Sequence, residues 1–289
     1  KRGALMLALL KRDFLLYFRN RSGVFFSLLG ALISFLLYII FLQKNLMDAW
    51  SQLPDNKSLL NNWLMGGTLA VTGITTSFTA LTQMVQDREN QVDQDLFLTD
   101  LGSWGLQLSY LISSLVISFV MQAFMLIVMS LYFQEIPAMS KLFEISLIML
   151  LSSLLSTLVN ALLIYHFQSV DSLGKLATIV GTASGFLVGT YVPMGILPNF
   201  AQVLMKCTPA TYLASLYRQV LMKEQLETTF MGNSSLLEEF QEKLGIRLNW
   251  QNLLTKEETY LIVVSICFLT LLLWLVVVKI SSKKIKIIG

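Results

Sequence analysis

The chain has 289 residues, 55% of them hydrophobic and 13% charged, with a net charge of +3 and a mean hydropathy of +0.65. Soluble domains carry about a quarter charged residues, so a soluble bundle of this composition would expose a large apolar surface. A transmembrane β-barrel would show short alternating segments in place of long apolar runs, which leaves an all-α polytopic membrane protein, read as a single transmembrane domain over residues 1–289.

Residues 2–20, "RGALMLALLKRDFLLYFRN", come first. At the helical period, Met6, Leu7, Leu10, Phe14, Tyr17 and Phe18 share a face, with Arg12 and Arg19 on the far side and Lys11 at the margin. Segment 1–21 is expected to lie as an amphipathic helix on the inner leaflet, its cations near anionic headgroups. Apolar runs follow at 24–42, 63–84, 106–133, 142–167, 176–197 and 260–278. Each is long enough to cross a hydrocarbon core of ~30 Å, so six transmembrane helices are expected, five of them within 22–197. Lys1, Arg2, Lys11, Arg12, Arg19 and Arg21 precede the first run, and Lys279, Lys283, Lys284 and Lys286 follow the last. By the positive-inside rule both termini are expected to be cytoplasmic. No small-residue cleavage site follows the first run, so no cleavable signal peptide is expected.

The second run carries Thr68, Thr72, Thr75, Thr76 and Thr79 on one helical face. Threonine can bond back to its own helix, so the face suits packing or a semi-polar translocation wall. The loop after it, "QDRENQVDQDLFLTD", sets Asp87, Glu89, Asp93, Asp95 and Asp100 against Arg88 alone. Such a segment is either a solvated loop or a polar helix presented to a cytoplasmic partner. In the fourth run, Asn160 is a lone polar residue at membrane depth and should face protein or water. His166 lies near the inner end of that run and reads as an interfacial, satisfied histidine.

The fifth run places Gly181, Gly185 and Gly189 four residues apart. In lipid, small residues at this spacing permit close helix approach, which suits intrachain packing, a subunit interface or a transport path. Pro193, Gly195 and Pro198 then end the helix. Residues 200–205 and 212–222 are each too short to cross, so segment 198–259 is expected to open with a re-entrant outer hairpin. Further on, "SSLLEEFQEKLG" holds Ser235 three residues before Glu238, a capping-box spacing. Leu236, Leu237, Phe240 and Leu244 make a stripe there, and Gly245 a stop. The last domain segment, 260–289, holds the sixth span and a cytoplasmic tail.

The chemical inventory is sparse. Cys207 and Cys267 lie about 60 residues apart, so neither a disulfide nor a metal site is expected. There is no Gly-x-x-x-x-Gly-Lys-Ser/Thr phosphate loop and no His-Glu-x-x-His zinc motif. No catalytic residue is assigned, and the chain is expected not to be an enzyme by itself.

Four features together resemble the membrane subunit of an ABC-2 type exporter, the type V ABC fold. They are the basic amphipathic start, the six runs, the loop "QDRENQVDQDLFLTDLGSW", and "GTYVPMGILPNF" followed by "CTPATYLASLYRQV". Asp87, Glu89, Leu96, Leu98 and Thr99 match the family's pattern after the second span, while Gln91 stands at its glycine and Asp100 at its proline. Pro193, Leu197, Pro198, Pro209, Tyr212 and Arg218 match its outer hairpin. The resemblance implies two such permeases, identical or related, docked on two ABC ATPase subunits that hold ATP and Mg, with no cofactor on this chain. It implies that Asp87, Arg88, Glu89, Asp93 and Asp95 form an ATPase-coupling segment. Thr72, Thr76, Asn160, Gly181, Gly185 and Gly189 are assigned to a path or interface, and Tyr191, Pro193, Pro198, Pro209 and Tyr212 to an outer gate. The expected setting is a bacterial plasma membrane, with lipid but no nucleic acid as partner, and an amphipathic, drug-, peptide- or lipid-like substrate. The alternative is a membrane sensor or assembly factor that transports nothing.

Overall fold

A computed structural model describes residues 2–288, with side chains to residue 280. Lys1 and the side chains of Lys283, Lys284 and Lys286, counted above toward orientation, lie outside that set. The described residues are helical, with one isolated bridge between Asn249 and Leu253 as their only extended pairing.

Helix α1 (Arg2–Arg19) ends at Asn20, whose side chain accepts from the Gly23 N–H and starts α2 (Arg21–Leu37). This cap makes α1 a separate helix, as expected, and not an extension of the first span. A π-helical turn (Tyr38–Leu42) carries α2 into α3 (Gln43–Ala49). It turns Tyr38 inward, where its hydroxyl donates to Asn61 at 3.1 Å.

Helix α4 (Asn56–Glu89) runs 34 residues and is the axis of the fold. It is packed by α2, by α6 (Gly102–Phe133), α7 (Met139–Ile164), α8 (Val170–Leu187) and α10 (Pro209–Leu221). Its sequence explains the position. Glycine, serine and threonine bring neighbouring backbones close, and the freed polar groups bond across helices. A Cβ on Gly73 would lie 2.8 Å from Ser152 Oγ. Ser118 Oγ donates to the Gly73 carbonyl at 3.0 Å, and Asn160 Nδ2 to the Ile74 carbonyl at 2.9 Å. Tyr217 of α10 donates to Gln122 of α6 at 2.6 Å. Such bonds are worth roughly 0.6 kcal/mol each in a bilayer, so holding the bundle takes many of them.

The two ends of the bundle differ. At one end, α11 (Lys223–Thr229) and α12 (Ser234–Lys243) join α3 and the start of α4 in a cap, with α9 (Asn199–Lys206) beside it. Trp50, Leu59, Trp63, Phe230 and Phe240 form its apolar core. The cap-side start of α13 (Lys256–Ile288) is pinned by Lys256 Nζ to Glu144 of α7 at 2.7 Å. At the other end lie α1, the short α5 (Val92–Phe97), and the start of α6. Trp104 there meets Trp274 of α13 with ring centroids 6.3 Å apart, and Arg2 Nε donates to the Asp100 carbonyl at 3.1 Å. The described N-terminus and the far part of α13 therefore share the end opposite the cap.

Among the described residues, five helices are long and apolar enough to cross a membrane: Arg21–Ala49, Asn56–Glu89, Gly102–Phe133, Met139–Ile164 and Lys256–Ile280. The expected fifth run corresponds to α8, which has 18 residues, holds Asp171 in its first turn, stops at Leu187 instead of 197 and is not among those five. The acidic start and the early stop shorten its apolar stretch. It nonetheless lies along α4 from the Glu89–Val170 hydrogen bond to the close approach of Gly67 and Thr190, a rise of about 33 Å at 1.5 Å per residue. In α12 the expected capping box is replaced by a cap two residues earlier: Asn233 Oδ1 accepts from the Leu236 N–H, and the helix begins at Ser234. Asparagine is as good a cap as serine and here comes first. Phe240 and Leu244 are buried as the stripe predicts, and Gly245 stops the helix at φ 61°.

Candidate functional site

The acidic segment divides by burial. Asp87 is buried and takes no part in an exposed acidic face. Arg12 grips it from α1 with bonds of 2.6 and 2.8 Å. Tyr110 donates to it at 2.6 Å and Gln83 at 2.7 Å. Arg12 therefore points inward, not toward headgroups as the helical face suggested. Its hydrogen bond to Asp87 holds the guanidinium charged far above its ordinary range. Beside it, Asp13 accepts from Arg12 at 3.0 Å and from Ser113 at 3.1 Å. Arg88 spans to the end of α7, donating to the Tyr165 and Phe167 carbonyls at 3.0 and 2.8 Å. Glu89 accepts from the Val170 N–H at 2.9 Å and so holds the start of α8. These three residues join α1, α4, α6, α7 and α8 at one point.

What remains for a partner is α5. Asp93 is half-buried, and burial raises its carboxyl above the usual range. Asp95 is exposed, and Leu98 beyond it is 87% exposed. The helix starts at Gln91, which adopts φ 59°. A non-glycine residue in that region costs about 1 kcal/mol. The family pattern has glycine at that position.

Burial pushes the Asp13 carboxyl up to about 6 from 3.8, more than Arg12 pulls it down. A raised folded-state value means that the folded chain holds the proton more tightly. Its stabilising contribution is complete below the unfolded value near 4 and is lost as pH rises through about 6. We expect α1 to be held more tightly at pH 5 than at pH 7, by about 1 kcal/mol once partial hydration of Arg12 is allowed for. Protease accessibility of α1 against pH measures this. Asp13→Asn should flatten the profile, and an unchanged profile in that variant would refute the assignment.

The three glycines of α8 serve three purposes. Gly181 presents its carbonyl to α2, 3.2 Å from where a Cβ on Gly30 would stand. Gly185 leaves room for the Tyr191 ring, since a Cβ there would lie 2.1 Å from Tyr191 Cζ. Gly189 adopts φ 71°, which reverses the chain after α8. Of the other path residues, Thr72, Thr76 and Asn160 are buried within the bundle. Thr72 and Thr76 donate to their own helix. In this conformation all three pack within the bundle. The larger hollows lie elsewhere: one of about 400 Å³ beside Lys223, Gln241 and Arg247, another of about 410 Å³ between α6 and α7 at Leu115, Phe119 and Phe143.

The expected gate residues cluster where α8 ends. Pro193 is buried beside a 3₁₀ turn (Met194–Ile196), Pro198 starts α9, and Pro209 occupies the first turn of α10. Tyr212 accepts from Trp250 of the cap at 3.0 Å, and Ser215 donates to the Ile246 carbonyl at 2.7 Å. Helices α9 and α10 are 8 and 13 residues long, and α10 packs against α4, α7 and α13. The sequence reading noted Arg218 only as a pattern match. It is fully buried over the Trp63 ring, 4.7 Å from its centroid. A lone arginine in an apolar helix was a signal of function.

Both cysteines are free thiols, and no group of side chains among the described residues could hold a metal ion. No curated protein matches the chain. A family model described as ABC-2 type transporter matches residues 4–222, from α1 to the end of α10. The chain thus belongs to the ABC-2 type transporter family and is the membrane-spanning permease component of an ABC transporter.

Proposed function

We propose that this permease exports an amphipathic, drug-, peptide- or lipid-like substrate, energised by two separate ABC ATPase subunits beneath a pair of permeases. The observation that carries the reading is α5: a short acidic helix with Asp95 and Leu98 open to solvent, packed on α4 and α6 directly after the end of the bundle's central helix. In this reading a push on α5 acts on the end of α4, where Asp87, Arg88 and Glu89 bond α1, the end of α7 and the start of α8. In this reading the end bearing α1 is cytoplasmic, in keeping with its basic residues, and α8 with the following turn supplies a sixth crossing. Gly181 and the apolar outward residues of α2 and α8, such as Phe26 and Ile179, face the second permease across the path. The hairpin from Pro198 to Tyr212 and the turn at Tyr191 and Pro193 close it on the outside.

Asp93→Lys with Asp95→Lys is expected to cut export at least tenfold and to weaken co-purification of the ATPases, with the melting temperature nearly unchanged. Asp95 is exposed, and Asp93 is half-buried outside the bundle's core, so reversing them adds repulsion toward a partner without breaking the core. Efflux from cells and pull-down in mild detergent measure the two effects. Normal efflux with normal docking would remove the coupling role from α5.

A further inference from the structure

Arg218 has no carboxylate partner among the described residues. Its donors go to backbone carbonyls instead: Trp63 of α4 at 3.3 Å, Gly189 after α8 at 3.2 Å, and Leu244 and Gly245 after α12 at 3.5 and 3.3 Å. Two of these positions are C-terminal helix ends, where unbonded carbonyls concentrate partial negative charge. The Trp63 indole, which also donates to the Leu244 carbonyl at 2.7 Å, presents its ring face to the cation. The charge is thus dispersed over segments far apart in sequence, and it holds only while they stay together. An apolar residue in this place would need no such convergence.

We propose that Arg218 is the positioning residue that fastens the hairpin and the end of α8 to the cap, so that the three move as one gate. The proposal rests on the exporter reading for its role in transport, but the fastening itself can be measured without transport. The neighbouring contacts agree with a single body: Tyr212 bonds Trp250, Ser215 bonds Ile246, and Lys206 bonds the Asn249 carbonyl.

Amide exchange of the purified permease in detergent is the first test. Arg218→Met keeps length and apolar bulk but removes every donor. Exchange should rise at least tenfold both at residues 189–191 and at 244–247, with α6 unchanged. Arg218→Lys, which keeps the charge and some bonds, should give a smaller rise at both places. A rise on one side only, no rise, or a uniform rise through α6 in both variants would overturn the fastening. The second test joins cap to hairpin with a bis-maleimide between Tyr212→Cys and Trp250→Cys, in a Cys207→Ser background. Export by the double-cysteine permease should be the same before and after cross-linking, whatever the substitutions themselves cost, and should fall more than tenfold in Arg218→Met while basal ATP hydrolysis by the assembled complex persists. Loss of export on cross-linking would mean that cap and hairpin must part, and the single gate would be wrong. If the unaltered permease moved no amphiphile at all, the exporter reading would fail while the exchange result still decided the fastening.

Discussion

Asp87→Ala is expected to lower the unfolding free energy by about 3–5 kcal/mol, the range for removing one member of a buried ion pair. The loss exceeds the worth of the contact because three donors are stranded together. Arg12, Tyr110 and Gln83 all point at the missing carboxylate. Arg12 keeps 29% of its side chain in contact with solvent and can partly escape, whereas Tyr110 is buried in α6 and cannot. Part of the cost should therefore remain when Arg12 is removed as well. In a double-mutant cycle with Arg12→Met, the two changes together should cost less than their sum by about 1–3 kcal/mol. Denaturant titration in mild detergent supplies the numbers. Strict additivity, or a loss below about 1 kcal/mol for Asp87→Ala, would mean that the pair contributes little to seating α1. Export should fall in parallel, because the same bond seats α1 against the end of α4 from which α5 continues.

Much of this arrangement was legible in residue types, and the parts that were not share a cause. The break after α1, the long α4, the stripe of α12 and the hairpin prolines all follow from periodicity and from residues with fixed backbone preferences. Asp13 was also within reach, since it lies on the same helical side as Leu9, Leu16 and Tyr17. A face defined by apolar residues alone leaves it out, though its carboxylate accepts from Ser113 across to α6. The α8 glycines mislead by their regularity. Equal spacing suggested one packing stripe, but Gly185 is filled from within by Tyr191 and Gly189 is a turn. Arg218 could be noticed but not explained, because its partners are carbonyls, which every residue carries and no sequence distinguishes. The coupling segment fared between these cases: its composition pointed to a partner, while only packing against α1 and α6 separates the structural Asp87 from the exposed Asp95.

Gly67→Ala is the second large effect, with an expected loss of about 3 kcal/mol, the upper end of the overpacking range. The glycine lies on buried α4, where the turn after α8 crosses it. A Cβ would stand 2.1 Å from Thr190 Cγ2 and 2.7 Å from Arg218 Nη2. Neither neighbour can yield cheaply. Thr190 is held by its hydroxyl, which donates to the Gly185 carbonyl at 3.0 Å and meets Ser34 Oγ at 3.2 Å. Arg218 is held by the carbonyls around it. The added methyl must therefore lift the turn at Gly189 off α4, and that movement carries the hairpin with it. Thr190→Ser deletes the clashing methyl and keeps the hydroxyl, so in the Gly67→Ala background it should recover more than half of the loss. On its own it should cost about 1 kcal/mol for one buried methyl. Thermal unfolding of the four proteins, with exchange at residues 188–191, separates the possibilities. If Thr190→Ser gave no recovery, the clash with Arg218 would be the dominant one, and the tight crossing of α4 would belong to α10 and not to the end of α8.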